Sequence, residues 1–350
     1  MNKPFKILCI DGGGIKGLYS AKVLSIFEET YDTLCSDHFD LICGTSTGGI
    51  IALAISQKMS MNNVVDFYKE YGPSIFIQKN RKWSIKDKLL SFKQVLLRSK
   101  YPQKYLKRAL QEQFGDKTIK DSHNLLCIPA YNMTDASPRI FKKDYAEFNQ
   151  DDKKSYVEVA LATAAAPTYL PVVEIDNIMY ADGGLYANNP IIIGLTEALY
   201  KWIKPQGKRG PNDFDGVEVL SISSLEVASG DVPGNTARSF WNWKDTLFDS
   251  YTIGQNKSSQ FFLKVLKNHL DFELEITRVV NNPLSPDQSQ LIEMDNASDK
   301  SLKLLEAIGL QTGVKQKDSK IIKNFFTNPK TIQVKDGAVV EKRGLWQNHY

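Results

Sequence analysis

Apolar positions along the chain form short runs and stripes whose spacing predicts alternating strands and helices. Residues 5–10, apolar except for Lys6, read as a short buried strand that ends in Asp11-Gly12-Gly13-Gly14, a loop. Gly17, Ser20, Leu24, Phe27 and Tyr31 then recur at steps of three and four, so they share one face of a helix. Residues 39–43 predict a second strand, and Gly44-Thr45-Ser46-Thr47-Gly48 a tight turn. Residues 49–55 are apolar on all sides, as in a helix buried inside a domain. Strand, loop and helix, given twice in succession, predict a parallel sheet with helical crossovers.

Further strands are predicted at 125–131, 178–181, 217–223 and 272–280. Helices are predicted at 157–166, 190–202, 240–270, 298–308 and 318–326, with Pro190 at a first turn where its missing N–H is harmless. Residues 331–334 and 338–341 flank Asp336-Gly337, a hairpin turn. The stretch 204–214, rich in Pro, Gly and charge, is the best boundary.

Residues 79–108 break the rhythm. They hold eleven Lys or Arg against a single acid, Asp87, with Trp83, Phe92, Tyr101 and Tyr105 interleaved. Three readings stay open: a solvated helical insertion, a membrane-docking element or lid, and a nucleic-acid surface.

Composition narrows the class rather than the chemistry. The 350 residues are 42% apolar and 24% charged, as in a soluble globular protein, and a net charge of +4 says nothing of partners. No run approaches about 18 apolar residues, and the N-terminal run is too short for a signal peptide. Cys9, Cys35, Cys43 and Cys127 form no Cys-x-x-Cys pair and are expected as buried reduced thiols. A cytoplasmic protein that reaches any membrane from outside is expected.

Gly44-x-Ser46-x-Gly48 between a strand and a helix matches a nucleophile elbow, where flanking side chains must be absent for the serine to stand above the sheet. Gly12, Gly13 and Gly14 before a helix let backbone N–H groups converge, which suits an oxyanion, with Lys16 adding charge. The same run fits a dinucleotide fingerprint, but the second strand delivers a serine where that motif wants an acid. Asp182 at a strand end before two glycines is either a working group or a turn aspartate. Of the histidines, His38 and His123 read as solvated loop residues, and His269 and His349 remain open as partners for Ser46. No metal-ligand spacing is found, and no cofactor is expected.

Asp11-Gly12-Gly13-Gly14-Ile15-Lys16-Gly17, Gly44-Thr45-Ser46-Thr47-Gly48 and Asp182-Gly183-Gly184, in that order, resemble the signature blocks of patatin-like phospholipases. Ala164-Ala165-Ala166-Pro167-Thr168-Tyr169-Leu170-Pro171 and Asn188-Asn189-Pro190 also look like this family, so the resemblance covers roughly residues 5 to 200. It implies a three-layer α/β fold with a central, mostly parallel sheet and helices on both faces. It implies Ser46 as nucleophile, Asp182 as general base without histidine, and Gly12, Gly13 and Gly14 as the oxyanion hole. Residues 5–205 would be the catalytic core, with 206–350 completing the same domain and open to a regulatory role. Where many members carry a Gly-Thr-Gly turn, this chain reads Ser221-Ile222-Ser223-Ser224-Leu225-Glu226.

The compact form resembles effector phospholipases of anti-phage systems, which cyclic oligonucleotides switch on to degrade the membrane. The resulting expectation is a lipid acyl hydrolase with a membrane phospholipid substrate, a cyclic nucleotide activator, membrane contact through 79–108 and a homo-oligomeric state. Two alternatives are a Ser46–Asp182–His269 triad esterase and a non-catalytic module for an anionic ligand.

Overall fold

The computed structural model describes residues 3–76, 99–146, 148–208, 213–227, 247–335 and 337–341. Residues 79–98 of the basic segment, His349 and the start of the 240–270 helix lie outside them.

The chain begins with strand β1 (Pro4–Ile10), helix α1 (Gly17–Tyr31), β2 (Leu41–Gly44) and α2 (Thr47–Ser56). Helices α3 (Met61–Ile75) and α4 (Lys104–Phe114) precede β3 (Leu125–Asn132) and β4 (Ser137–Lys142). Then come α5 (Tyr156–Thr163), β5 (Val173–Ile175), β6 (Ile178–Asp182), α6 (Gly184–Ala187), α7 (Ile191–Glu197) and β7 (Gly216–Ile222). The last third holds α8 (Leu247–Leu266), β8 (Glu273–Val279), α9 (Pro286–Leu291), α10 (Asp299–Lys317), α11 (Lys320–Thr327) and the hairpin β9 (Ile332–Lys335) and β10 (Ala338–Glu341).

The main sheet runs β5-β6-β3-β2-β1-β7-β8, with β4 also paired to β3. The pairs β3–β2, β2–β1, β1–β7 and β7–β8 are parallel, while β6 and β4 run antiparallel to β3. Parallel strands buried on both faces favour apolar residues on both, which is why β2, and β1 apart from Lys6, read as apolar runs. Leu8, Ile10 and Ile42 pack on one face with α1, α2 and α5. Phe5, Ile7, Cys9, Leu41 and Cys43 pack on the other with Ile191 and Leu195 of α7 and Leu263 of α8. Helices thus cover both faces of a mostly parallel sheet, the three-layer arrangement expected from the resemblance.

One junction matters most. Cys127 of β3 faces Cys43 of β2 on one side and Lys142 of β4 on the other, whereas Ala130 faces Asp182 of β6 and Arg139 of β4. Because β4 holds one edge of β3 throughout, β2 and β6 share the opposite edge. They run toward each other along it, and their C-terminal ends meet within about 10 Å, three residues of β3. Ser46 follows one end and Asp182 is the other.

Several expectations are corrected. The helix expected at 298–308 continues to Lys317, because Gly309 and Gly313 are not terminators. A Cβ on Gly309 would lie 2.8 Å from Lys22 Cβ, and one on Gly313 2.8 Å from Ile26 Cβ, so these glycines let α10 lie directly on α1. The last five residues of the helix expected at 190–202, Ala198–Trp202, widen into a π-helix. Helix α3 and strands β4 and β5 were not among the expected elements.

Candidate active site

Backbone crowding builds the turn around Ser46. Only Thr45 and Ser46 link β2 to α2, and Ser46 takes φ 55° and ψ −123°. Such a conformation in a non-glycine residue costs about 1–3 kcal/mol and persists only where its surroundings impose it. Here they do. A Cβ on Gly44 would lie 2.0 Å from the Gly48 carbonyl oxygen, and one on Gly48 2.2 Å from that of Ile10. The Ser46 N–H donates to Thr163 Oγ1 at 3.0 Å, and that hydroxyl donates to the Pro129 carbonyl at 2.5 Å. The last residue of α5 therefore ties the turn to β3.

Asp182 is buried at the end of β6. Its carboxylate accepts from the Gly184 N–H at 2.6 Å, and the Ser46 hydroxyl stands close enough to favour its charged form. Burial pushes its pKa up from the ordinary carboxylate value to about 7, against the pull of the Ser46 hydroxyl and the Gly184 N–H. Gly183 has no room for a side chain, since a Cβ would lie 2.4 Å from the Pro129 carbonyl oxygen. The serine has a partner, and the partner sits in the pH range where it can take a proton.

The glycine block divides its labour. The Gly12 N–H donates to the Asn188 carbonyl at 3.0 Å, so Gly12 is not a free donor. Its role is room, because a Cβ there would meet Asn188 Oδ1 at 2.5 Å and Ser46 Cβ at 3.2 Å. This corrects the expectation that all three glycines donate. Gly13 and Gly14 have no backbone acceptor for their N–H groups among the described residues, and Gly14 takes φ +59°, which favours glycine.

Asp11 anchors the loop from behind. It is buried, and Arg278 of β8 grips both its carboxylate oxygens, at 2.6 and 3.3 Å. The guanidinium also donates to Ser221 Oγ at 2.8 Å and Glu226 Oε1 at 3.1 Å. Sequence reasoning missed Arg278. The only signal was a charged residue inside an otherwise strand-like run, and nothing local connects it to Asp11.

A narrow cavity of about 50 Å³ opens beside Ser46. Ile50, Phe67, Ile75, Phe76, Leu106, Leu170 and Met294 line it, with Gly14 and Ser46 among its lining residues. Such walls accept an alkyl chain and offer little to an anion.

The three described histidines stand elsewhere. His38 is buried rather than solvated: Nδ1–H donates to the Asn328 carbonyl at 2.9 Å, and Nε2 pairs with Thr33 Oγ1 at 2.7 Å. His123 is exposed. His269 is exposed just before β8, whereas Ser46 follows the C-terminal end of β2, parallel to β8 through β1 and β7. About 20 Å of strand separates those two edges of the sheet, which removes the triad reading. Among the described residues no cluster of His, Cys, Asp or Glu is arranged to hold a metal ion. All four cysteines are buried and unpaired.

Compared with known proteins, residues 8–195 match the family model described as patatin-like phospholipase. The chain is 32% identical to a Pseudomonas aeruginosa protein named cGAMP-activated phospholipase, over 82% of this chain and 80% of that one. It is 30% identical to an Escherichia coli protein of the same name, over 94% and 95%. It is also 26% identical to patatin-like protein 2 of Arabidopsis thaliana, over 87% and 81%.

Proposed function

We propose that this chain, which belongs to the patatin-like phospholipase family, cleaves acyl esters of membrane phospholipids with Ser46 as nucleophile and Asp182 as general base. The observation that carries this reading is the placement of the Ser46 hydroxyl beside the buried Asp182 carboxylate, next to an apolar cavity. As Ser46 Oγ bonds to the ester carbon, its proton passes to Asp182. The carbonyl oxygen becomes an oxyanion facing the Gly13 and Gly14 N–H groups. Collapse of the tetrahedral adduct breaks the ester bond, and the departing lysophospholipid alkoxide takes the proton from Asp182. Water then gives a proton to Asp182 as it attacks the acyl-enzyme, and collapse of that adduct releases the fatty acid while Ser46 Oγ takes the proton back from Asp182.

The wider reading rests on the same family. Relatives named cGAMP-activated phospholipase, aligned over most of their own length, support activation by a cyclic nucleotide in anti-phage defence. On this reading, residues 5–205 are the catalytic core, 206–350 complete the domain and carry regulation, and the active form is a homo-oligomer. Among the described residues no helix is long and apolar enough to cross a membrane. A cytoplasmic protein docking at the inner membrane fits α4, where Leu106 lines the cavity while Lys104, Lys107 and Arg108 are exposed. Those cations would meet anionic headgroups.

Incubation with mixed phospholipid vesicles, with and without a panel of cyclic nucleotides, tests the proposal through released fatty acid. Fluorophosphonate labelling is followed in parallel. Wild type is expected to release fatty acid in at least one condition. Ser46→Ala and Asp182→Asn are each expected to lose roughly 100-fold or more. Release by Ser46→Ala would sink the mechanism, and a wild type that neither labels nor hydrolyses under any condition would favour a binding module.

A further inference from the structure

We infer that Asp295 is a positioning residue for the reaction, holding the glycine loop and one wall of the acyl cavity in a single bracket. The inference rests on the reading of Ser46 given above.

The loop side of the bracket is Met294. Its carbonyl accepts the Ile15 N–H at 2.9 Å, directly after the glycine block. A Cβ on Gly14 would lie 2.2 Å from the same oxygen, so the loop is moulded onto residue 294. Met294 also lines the cavity.

The wall side is Lys100-Tyr101. Asp295, only 5% exposed, accepts from the Tyr101 hydroxyl at 2.8 Å and is ion-paired with Lys100. The N–H groups of Lys100 and Tyr101 donate in turn to the carbonyls of Thr168 and Tyr169, at 2.8 and 2.9 Å. Thr168 is held at φ +71° there, and Tyr169 and Leu170 line the cavity. The Tyr101 ring meets Phe76, another cavity residue, edge-on at 5.5 Å.

One carboxylate therefore joins three segments remote in sequence: the oxyanion loop through its neighbour Met294, the 100–101 strap, and the 168–170 wall. A buried charge is a poor way to add stability, because desolvation opposes the gain from pairing. Its distinctive contribution is direction: Asp295 fixes where Met294 and Tyr101 stand relative to each other. If that distance changes, the oxyanion donors and the cavity change together.

The experiment compares wild type, Asp295→Asn and Tyr101→Phe on soluble p-nitrophenyl esters with acyl chains from four to twelve carbons, under the condition that best activates wild type. Readouts are kcat and KM for each chain length, the rate of fluorophosphonate labelling, and the melting temperature. Asp295→Asn is expected to lower kcat about tenfold on every ester, slow labelling in proportion, and leave KM for the four-carbon ester nearly unchanged. It is also expected to shift the preferred chain length. Tyr101→Phe is expected to shift that preference with a smaller loss in kcat.

A purely structural clamp would instead reduce active enzyme without altering the chain-length profile of what remains. That result, or an Asp295→Asn enzyme with wild-type kcat and profile, overturns the inference alone. A wild type inert on every ester and probe overturns the proposed function and this inference with it.

Discussion

Asp182 is asked to be a base while being buried, and the two demands shape its titration. A general base works only when unprotonated, and burial holds this one near pH 7. The rate kcat/KM on a soluble ester is therefore expected to rise with pH through an apparent pKa near 7 and level off above it. A flat profile from pH 5 to 8 would contradict this. Stability moves the opposite way. The folded pKa of about 7 lies above the ordinary value of 3.8, so the folded chain binds the proton more tightly. This contribution is complete below about pH 4 and is lost as pH rises to 7, worth roughly 4 kcal/mol. Asp182→Asn should abolish that part of the slope in urea midpoints measured from pH 4.5 to 7.5. Parallel slopes for the two proteins would count against a raised pKa.

At the scale of elements, local pattern and distant contact divide what the sequence discloses. Strands β1 and β2 and helices α1 and α2 were legible because their apolar runs are buried where the sheet is deepest. The positions of Ser46 and Asp182 at strand ends followed from the same runs. Their convergence did not, because it depends on β2 and β6 sharing an edge of β3, a fact of pairing rather than periodicity. Strand β5 is three residues long and too short to show alternation, and Pro138 obscures β4. Helix α10 was cut short at Ile308 because glycine locally signals an end, while its purpose here is contact with α1. The donor role of Gly12 failed for a similar reason: nothing near it announces that Asn188 claims its N–H. Arg278 and Thr163, which hold the loop and the turn, lie far from what they hold.

The molecule as a whole is closed from its far end. Asp40, fully buried beside β2, accepts from Lys6 N–H at 3.0 Å and from Thr331 and Ile332 N–H at 2.6 and 2.7 Å. Burial lowers the pKa of both Lys6 and Lys330 to about 8, and Asp40 is the chief group opposing that shift in each. One carboxylate thus clasps β1 to the segment entering β9. Asp40→Ala leaves three N–H groups without their acceptor and takes from two buried amines their main opposing charge. It should cost about 3–5 kcal/mol in denaturant titration, whereas a loss below about 1 kcal/mol would mean that the clasp is idle.

The bond from Ile15 to Met294 has a consequence for how the protein is made. A ribosome delivers Ser46 early and Asp182 midway, but the carbonyl that seats the loop beside them comes late. A growing chain would carry its nucleophile past the membrane without the means to stabilise charge on a lipid ester. We expect stalled nascent chains ending near residue 285 to resist fluorophosphonate labelling, and chains with residue 341 clear of the exit tunnel to accept it. Equal labelling of both would show that the loop seats itself unaided. With the expected difference, the order of synthesis acts as a safety catch, sparing the producing cell its own enzyme until the Met294 carbonyl is in place.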